Sequence, residues 1–321
     1  MTTTPDNGAN NAPAEYTNPV IDRDFPDPCI FRDGDIYYAY ATNSAGQTMP
    51  CARSADLIHW SDPIDAMPHL PPWTKLAPGM TWAPHVRKFG ETYVAHFTAR
   101  DKVHDTQAIG TAISASPEGP FTSSAETPFI SQPDLGGCID PTSFVDDDGA
   151  HYLIWKNDGN SRGQDTWLWI QSLSSGGLKL QGEPQRLIKQ DQSWEGSLIE
   201  GPTVWKYDGK YYLFYSANDY GNCNYAMGYA VADSVTGPYV KPRQGAWVAS
   251  TSQICGPGGE DIMIGPDGET WMVYHMWQKG PHSYRSMAIA RLAWRSGVPY
   301  LLVPSDSSSP LDSTRNETPD V

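Results

Sequence analysis

"EGPTVWKYDGKYYLFYSA", residues 200–217, decides the fold, because the chain repeats its plan five times. It runs from an acid and a proline into a strand-like stretch, an Asp-Gly dipeptide, and a second run of aromatic and apolar residues. Asp-Gly supplies the positive φ that a tight hairpin turn needs, so the stretch predicts two antiparallel strands. The same plan appears in "DPCIFRDGDIYYAYAT" from Asp27, "WAPHVRKFGETYVAHFTA" from Trp82, "DPTSFVDDDGAHYLIWKN" from Asp140 and "GEDIMIGPDGETWMVYHM" from Gly259. The copies lie about 55 to 60 residues apart.

Third strands follow as "MPCARSADLIHW", "AIGTAISASPEGPF", "WLWIQSLSSGGL", "AMGYAVADSVTGPY" and "SMAIARLAW", each with a closing segment. No long helical pattern interrupts them. Evenly spaced units of this size predict an all-β, five-bladed β-propeller over residues 18–304. A β-sandwich would not require the repeat. Residues 1–17 read as a disordered polar lead-in and 305–321 as a polar tail.

Composition narrows the partners. The 321 residues carry a formal charge of -15, which disfavours nucleic acid and anionic membrane. Aromatics reach 12%, with 12 Trp and 17 Tyr, enough to fill an all-β core and leave flat walls for sugar rings. No stretch approaches a membrane span, and the first residues lack the basic end and apolar run of a signal peptide. The sequon at Asn316 points to secretion, with a leader replaced by Met1. Cys29, Cys51, Cys138, Cys223 and Cys255 show no metal-binding spacing, and their odd count leaves at least one thiol free.

In a propeller the inner strands of all blades begin near one axis. The opening motifs therefore converge on one face, bringing together Asp27, Asp140 and Glu200, read here as equivalent positions of the repeat. Each alone suits a turn. Three acids gathered on one face are costly unless chemistry uses them. Paired carboxylates among aromatic walls, with a neutral substrate, point to glycoside hydrolysis. There one acid protonates the leaving oxygen, another activates water or attacks, and a third raises the acid's pKa.

The set "NPVIDRDFPDPCI", "TWAPHV", "CIDPTSFVDDDG", "WEGSLIEGPTVWKYDGKYYLFYSA" and "VYHMW...YRSMAIARLAWRSGVPYL" resembles glycoside hydrolase family 43 from about Asn18 to Leu302. The resemblance implies inverting hydrolysis with Asp27 as general base, Asp140 as the residue tuning the acid, and Glu200 as general acid. It also implies an arginine at Arg285, a sugar-subsite wall at Trp82 and a pocket-facing His275. Trp194-Glu195-Gly196 precedes the acid as in many members. Asp24 is a rival for Asp27 but lies outside the D-P-x-I pattern.

One departure is the "GPGGED" stretch, where many members carry a histidine that touches a central water or metal. Gly259 or Glu260 holds that place. No cofactor is expected to be required, and Glu260 or Asp261 offers oxygen ligands for a structural Ca2+ at the propeller centre. His85, His96 and His151 read as core or surface residues of strands. "DDDG" at 146–149 reads as a hairpin turn, and residues 68–80 as a proline-rich connector at the pocket rim.

These readings converge on a secreted, monomeric exo-acting enzyme that releases α-L-arabinofuranose or β-D-xylose from an oligo- or polysaccharide of the plant wall. The alternatives are an endo-arabinanase and a carbohydrate-binding propeller without catalysis. Activity should follow a bell against pH, limited by protonation of Asp27 and deprotonation of Glu200.

Overall fold

The computed structural model describes residues 16–75 and 81–302. Residues 1–15 of the lead-in, residues 76–80 of the connector, and the tail with its sequon lie outside them. Five antiparallel sheets follow one another along the chain, each ordered as the sequence runs. Blade one contains β1 (Cys29–Asp33), β2 (Ile36–Tyr40), β3 (Pro50–Ser54) and β4 (Ile64–Asp65). Blade two contains β5 (Trp82–Phe89), β6 (Thr92–Arg100) and β7 (Gln107–Ser114). Blade three contains β8 (Cys138–Val145), β9 (His151–Asn157), β10 (Trp167–Leu173) and β11 (Leu180–Lys189). Blade four contains β12 (Ile199–Tyr207), β13 (Lys210–Ala217) and β14 (Ala226–Ala232). Blade five contains β15 (Cys255–Ile264), β16 (Thr270–Gln278), β17 (Tyr284–Arg295) and β18 (Val298–Leu302). In blades two and four the closing segment makes single bridges, Ile109 with Ile130 and Met227 with Val248 among them.

The inner strands touch in a ring, β1 against β5, β5 against β8, β8 against β12, β12 against β15, and β15 against β1. The chain is thus a five-bladed propeller. Its start helps close the ring, because Ile21 bridges Met287 and the Asn18 side chain donates to the Ile289 carbonyl at 2.8 Å. The hairpin turns form where the glycines predicted them. In the turn between β12 and β13, Asp208 and Gly209 both take positive φ, 48° and 72°, which is why that turn carries Asp-Gly.

Period-2 alternation explains how one strand serves two interfaces. In β13, Tyr211, Leu213 and Tyr215 pack toward blade three with Ile154 and Leu168. Their neighbours Tyr212 and Phe214 pack toward blade five with Met272 and Tyr274. Each core cluster straddles two successive blades, and the one containing Ile30, Tyr37, Val273 and Ile289 joins blade five back to blade one. Most aromatics are used this way, so core packing accounts for the composition.

Candidate active site

The inner strands of blades two to five share a defect near their starts. Their pairing slips between Trp82 and His85, Ile139 and Thr142, Glu200 and Thr203, and Gly258 and Asp261. The residues in left-handed conformation there are Ala83 (φ 41°), Asp140 (55°), Gly201 (58°) and Gly259 (60°), and Asp27 (53°) takes the same conformation just before β1. Asp and Gly tolerate this region better than most residues. Such bulges re-aim side chains at a rim, here toward the axis.

This alignment corrects one expectation. Asp27 and Asp140 are equivalent, but Glu200 is not their counterpart; it precedes the left-handed residue and matches Trp82 and Ile139. Gly201, inserted between acid and proline, takes the strained position instead. Gly259 settles the register of "GPGGED" by taking that position in blade five.

Asp27, Asp140, Glu200, Trp82 and Arg285 all line one cavity of about 670 Å³ on the axis, with Lys156, Asp158, Asp219, Tyr220, Tyr225 and Glu260. Asp27 is held from three sides. Arg285 Nη1 lies 3.1 Å from its Oδ1, Thr42 Oγ1 donates to its Oδ2 at 2.5 Å, and its amide donates to His275 Nδ1 at 3.2 Å. Burial acts to raise its pKa. The Arg285 charge, with His275 and Thr42, outweighs burial and holds the carboxyl well below the usual range.

Asp140 Oδ2 accepts the Gly201 amide at 2.9 Å. Burial first and the Glu200 charge second push its pKa up, against the pull of Lys156. Glu200 meets Lys156 Nζ at 2.9 Å through Oε2 and accepts the Tyr225 hydroxyl at 2.8 Å through Oε1. One carboxyl in the cavity is therefore suited to remain ionised, and a neighbouring pair is suited to hold a proton. Base and acid chemistry need that division.

Other expected residues sit elsewhere. His275 is fully buried and off the cavity wall; it stacks on Tyr225 at 5.7 Å and backs Asp27, so the structure places it behind the site rather than facing substrate. Asp24 is bound to the Arg285 amide outside the cavity. Glu195 is fully buried under Lys241 at 2.7 Å, and Trp194 stacks on Tyr215, so that motif braces the loop. His96 and His151 pack on Phe89, and "DDDG" is the turn between β8 and β9. The sequence reading missed Lys156, Tyr225 and Thr42. A lysine inside the aromatic strand "YLIWKN" was the available signal, since an interior charge implies a partner.

The backbone at the "GPGGED" departure does not admit a histidine. A Cβ on Gly259 would lie 2.7 Å from His275 Nδ1 and 3.0 Å from Asp27 Cα, leaving no room for a histidine there. Cys29, His85 and Asp261 do form a buried cluster. The Ser143 amide donates to His85 Nδ1 at 3.2 Å, the Ser143 hydroxyl lies 3.2 Å from the same nitrogen, and Nε2 lies 3.9 Å from Asp261 Oδ2. Arg87 adds a positive charge 3.6 Å from Asp261, and burial chiefly pushes the Cys29 thiol up to about 12. Burial also pushes Glu260 up to about 8, against the pull of its bond from Ser216 at 2.7 Å. Glu260 Oε1, His85 Nε2 and His275 Nε2 are buried without hydrogen-bond partners among the described residues.

Cys223 and Cys255 form a disulfide, while Cys29, Cys51 and Cys138 are free and buried. The disulfide ties the segment carrying Asp219, Tyr220 and Tyr225 to the start of β15. Tyr220 lies under the Arg285 guanidinium at 4.9 Å, so this segment forms one wall of the cavity.

Residues 16–299 match the family model for glycosyl hydrolases family 43. The chain is 27% identical over 277 residues to an extracellular exo-α-(1→5)-L-arabinofuranosidase of Streptomyces avermitilis, an alignment with 81% of this chain and 56% of that protein. It is 25% identical over 293 residues to an extracellular endo-α-(1→5)-L-arabinanase of Bacillus subtilis, covering 85% and 86% of the two. The crystal structure of a thermostable family-43 glycoside hydrolase superposes with a TM-score of 0.80 at 30% identity, covering 92% of this chain and 98% of that one.

Proposed function

From the premise that the chain belongs to family 43 of the glycosyl hydrolases, we propose that it is an inverting, exo-acting pentosidase that releases terminal arabinofuranose or xylose from plant-wall polysaccharide. The observation that carries this reading is the division of charge in one cavity. Asp27 is held ionised by Arg285, while the Asp140–Glu200 pair faces it with a proton to give.

In this mechanism Asp27 takes a proton from the water that attacks the anomeric carbon, and Glu200 protonates the departing oxygen. Arg285 and Thr42 orient the base. Asp140 stands beside Glu200 in the pair, its own pKa pushed up by burial and by the Glu200 charge. Trp82 and Tyr220 supply the flat walls. The volume of about 670 Å³ suits a sugar and its leaving group, as small-ligand pockets do. A disulfide beside the cavity and the extracellular relatives support secretion.

An endo-arabinanase is the rival reading, supported by the Bacillus subtilis relative, of which the alignment covers 86%. Digestion of linear arabinan and of xylan separates the two. Exo action predicts a monosaccharide as the sole early product of one polymer. A ladder of oligosaccharides from arabinan would replace the exo reading with the endo one.

A further inference from the structure

Lys156 is an unusual residue for its place. It lies on the second strand of blade three, 1% exposed, directly after the apolar run of residues 152–155. Full burial of a lysine is rare unless the charge is paired, because desolvation strongly disfavours the ammonium. Here two carboxylates pair it, Glu200 Oε2 at 2.9 Å and Asp158 Oδ1 at 3.3 Å.

We propose that Lys156 is a positioning residue whose fixed charge sets how many protons the Asp140–Glu200 pair carries, and so the pH at which the acid is lost. This rests on the reading of Glu200 as the general acid. With Asp140, Glu200 and Asp158 all ionised, these groups and Lys156 carry a net charge of -2; one proton on the pair lowers it to -1. Lys156 therefore offsets one of the three negative charges gathered there, and the single proton an acid catalyst needs offsets a second.

The other groups facing Glu200 are Tyr225, bonded to it, and His275 behind, whose own titration responds to Glu200. Asp27, Arg285, Asp219 and Glu260 line the same cavity. Asp27 and Arg285 form an ion pair and largely cancel. Lys156 is the only cation bonded to Glu200 among the described residues, and Asp158 is its competing partner. That arrangement gives two changes of opposite sign. Removing the lysine charge must disfavour ionisation of the acid, and removing the Asp158 charge must favour it.

The test measures kcat/KM against pH with a pentobiose, whose sugar leaving group demands an acid, on the full chain and on Lys156→Met and Asp158→Asn. An opposite charge at this range moves a carboxyl by at least about one unit. The alkaline limb of Lys156→Met is expected to move up by at least about one pH unit, and that of Asp158→Asn to move down. Limbs that stay in place in both variants, with thermal unfolding showing them folded, overturn the proposal. Should Lys156→Met fail to fold, Asp158→Asn decides alone, a downward shift supporting the proposal and an unmoved limb refuting it. Glu200→Gln is run beside them with nitrophenyl and sugar leaving groups. If it shows no leaving-group dependence, the acid assignment itself fails and the proposal falls with it. If it shows that dependence while the limbs stay put, the proposal fails alone.

Discussion

Asp27→Asn is expected to lower kcat by about 10³-fold on every substrate, whatever its leaving group, with thermal unfolding little changed. The change removes the basic oxygen and keeps the shape. Asparagine also tolerates the left-handed φ of 53° that Asp27 adopts, so a loss of activity would reflect chemistry rather than backbone strain. Alanine would confuse the two. The base is needed at every turnover, because an inverting reaction has no other group to accept the water's proton. Arg285 and Thr42 keep the native carboxylate charged far below neutral pH, so the wild type should lose little activity to protonation of Asp27 above about pH 4. Stopped assays with nitrophenyl pentosides and pentobioses measure this. An Asp27→Asn enzyme retaining a tenth of wild-type turnover would remove Asp27 from the mechanism.

Glu200→Gln is expected to divide substrates by their leaving groups. A sugar alkoxide needs protonation as it departs, and loss of the acid should cost about 10² to 10⁴-fold. Nitrophenolate leaves unaided, so its release should fall far less. The substitution keeps an acceptor for Tyr225 but ends the ion pair with Lys156. A uniform loss across both substrates would mean that the change acts through Lys156 and the cavity wall rather than through proton transfer.

Much of this was legible in the chain. The repeat of opening motif, glycine turn and aromatic strand predicted five blades because hairpin chemistry is local, and the structure has them. Asp27, Asp140, Glu200, Trp82 and Arg285 reach one cavity because propeller geometry gathers strand starts on an axis. What was not legible depends on register and on contacts distant in sequence. The offset of Glu200 by one residue follows from which residue takes positive φ, and Gly201 competes for that position. His275 stands on a strand whose faces alternate, so its motif could not tell which side of Asp27 it supports. The Cys223–Cys255 link joins different segments of the cavity wall, 32 residues apart, and no spacing rule predicts it. Lys156 was visible as a charge in an apolar strand with Asp158 two residues on, but its partner Glu200 lies 44 residues away.

The anomeric configuration of the first sugar released tests the central claim most directly. Proton nuclear magnetic resonance during the first minutes of nitrophenyl pentoside hydrolysis reads it before mutarotation. Water activated by Asp27 on the face opposite Glu200 predicts the inverted anomer as the initial product. A first-formed anomer of retained configuration would require a covalent intermediate, and would contradict the roles given to Asp27 and Glu200.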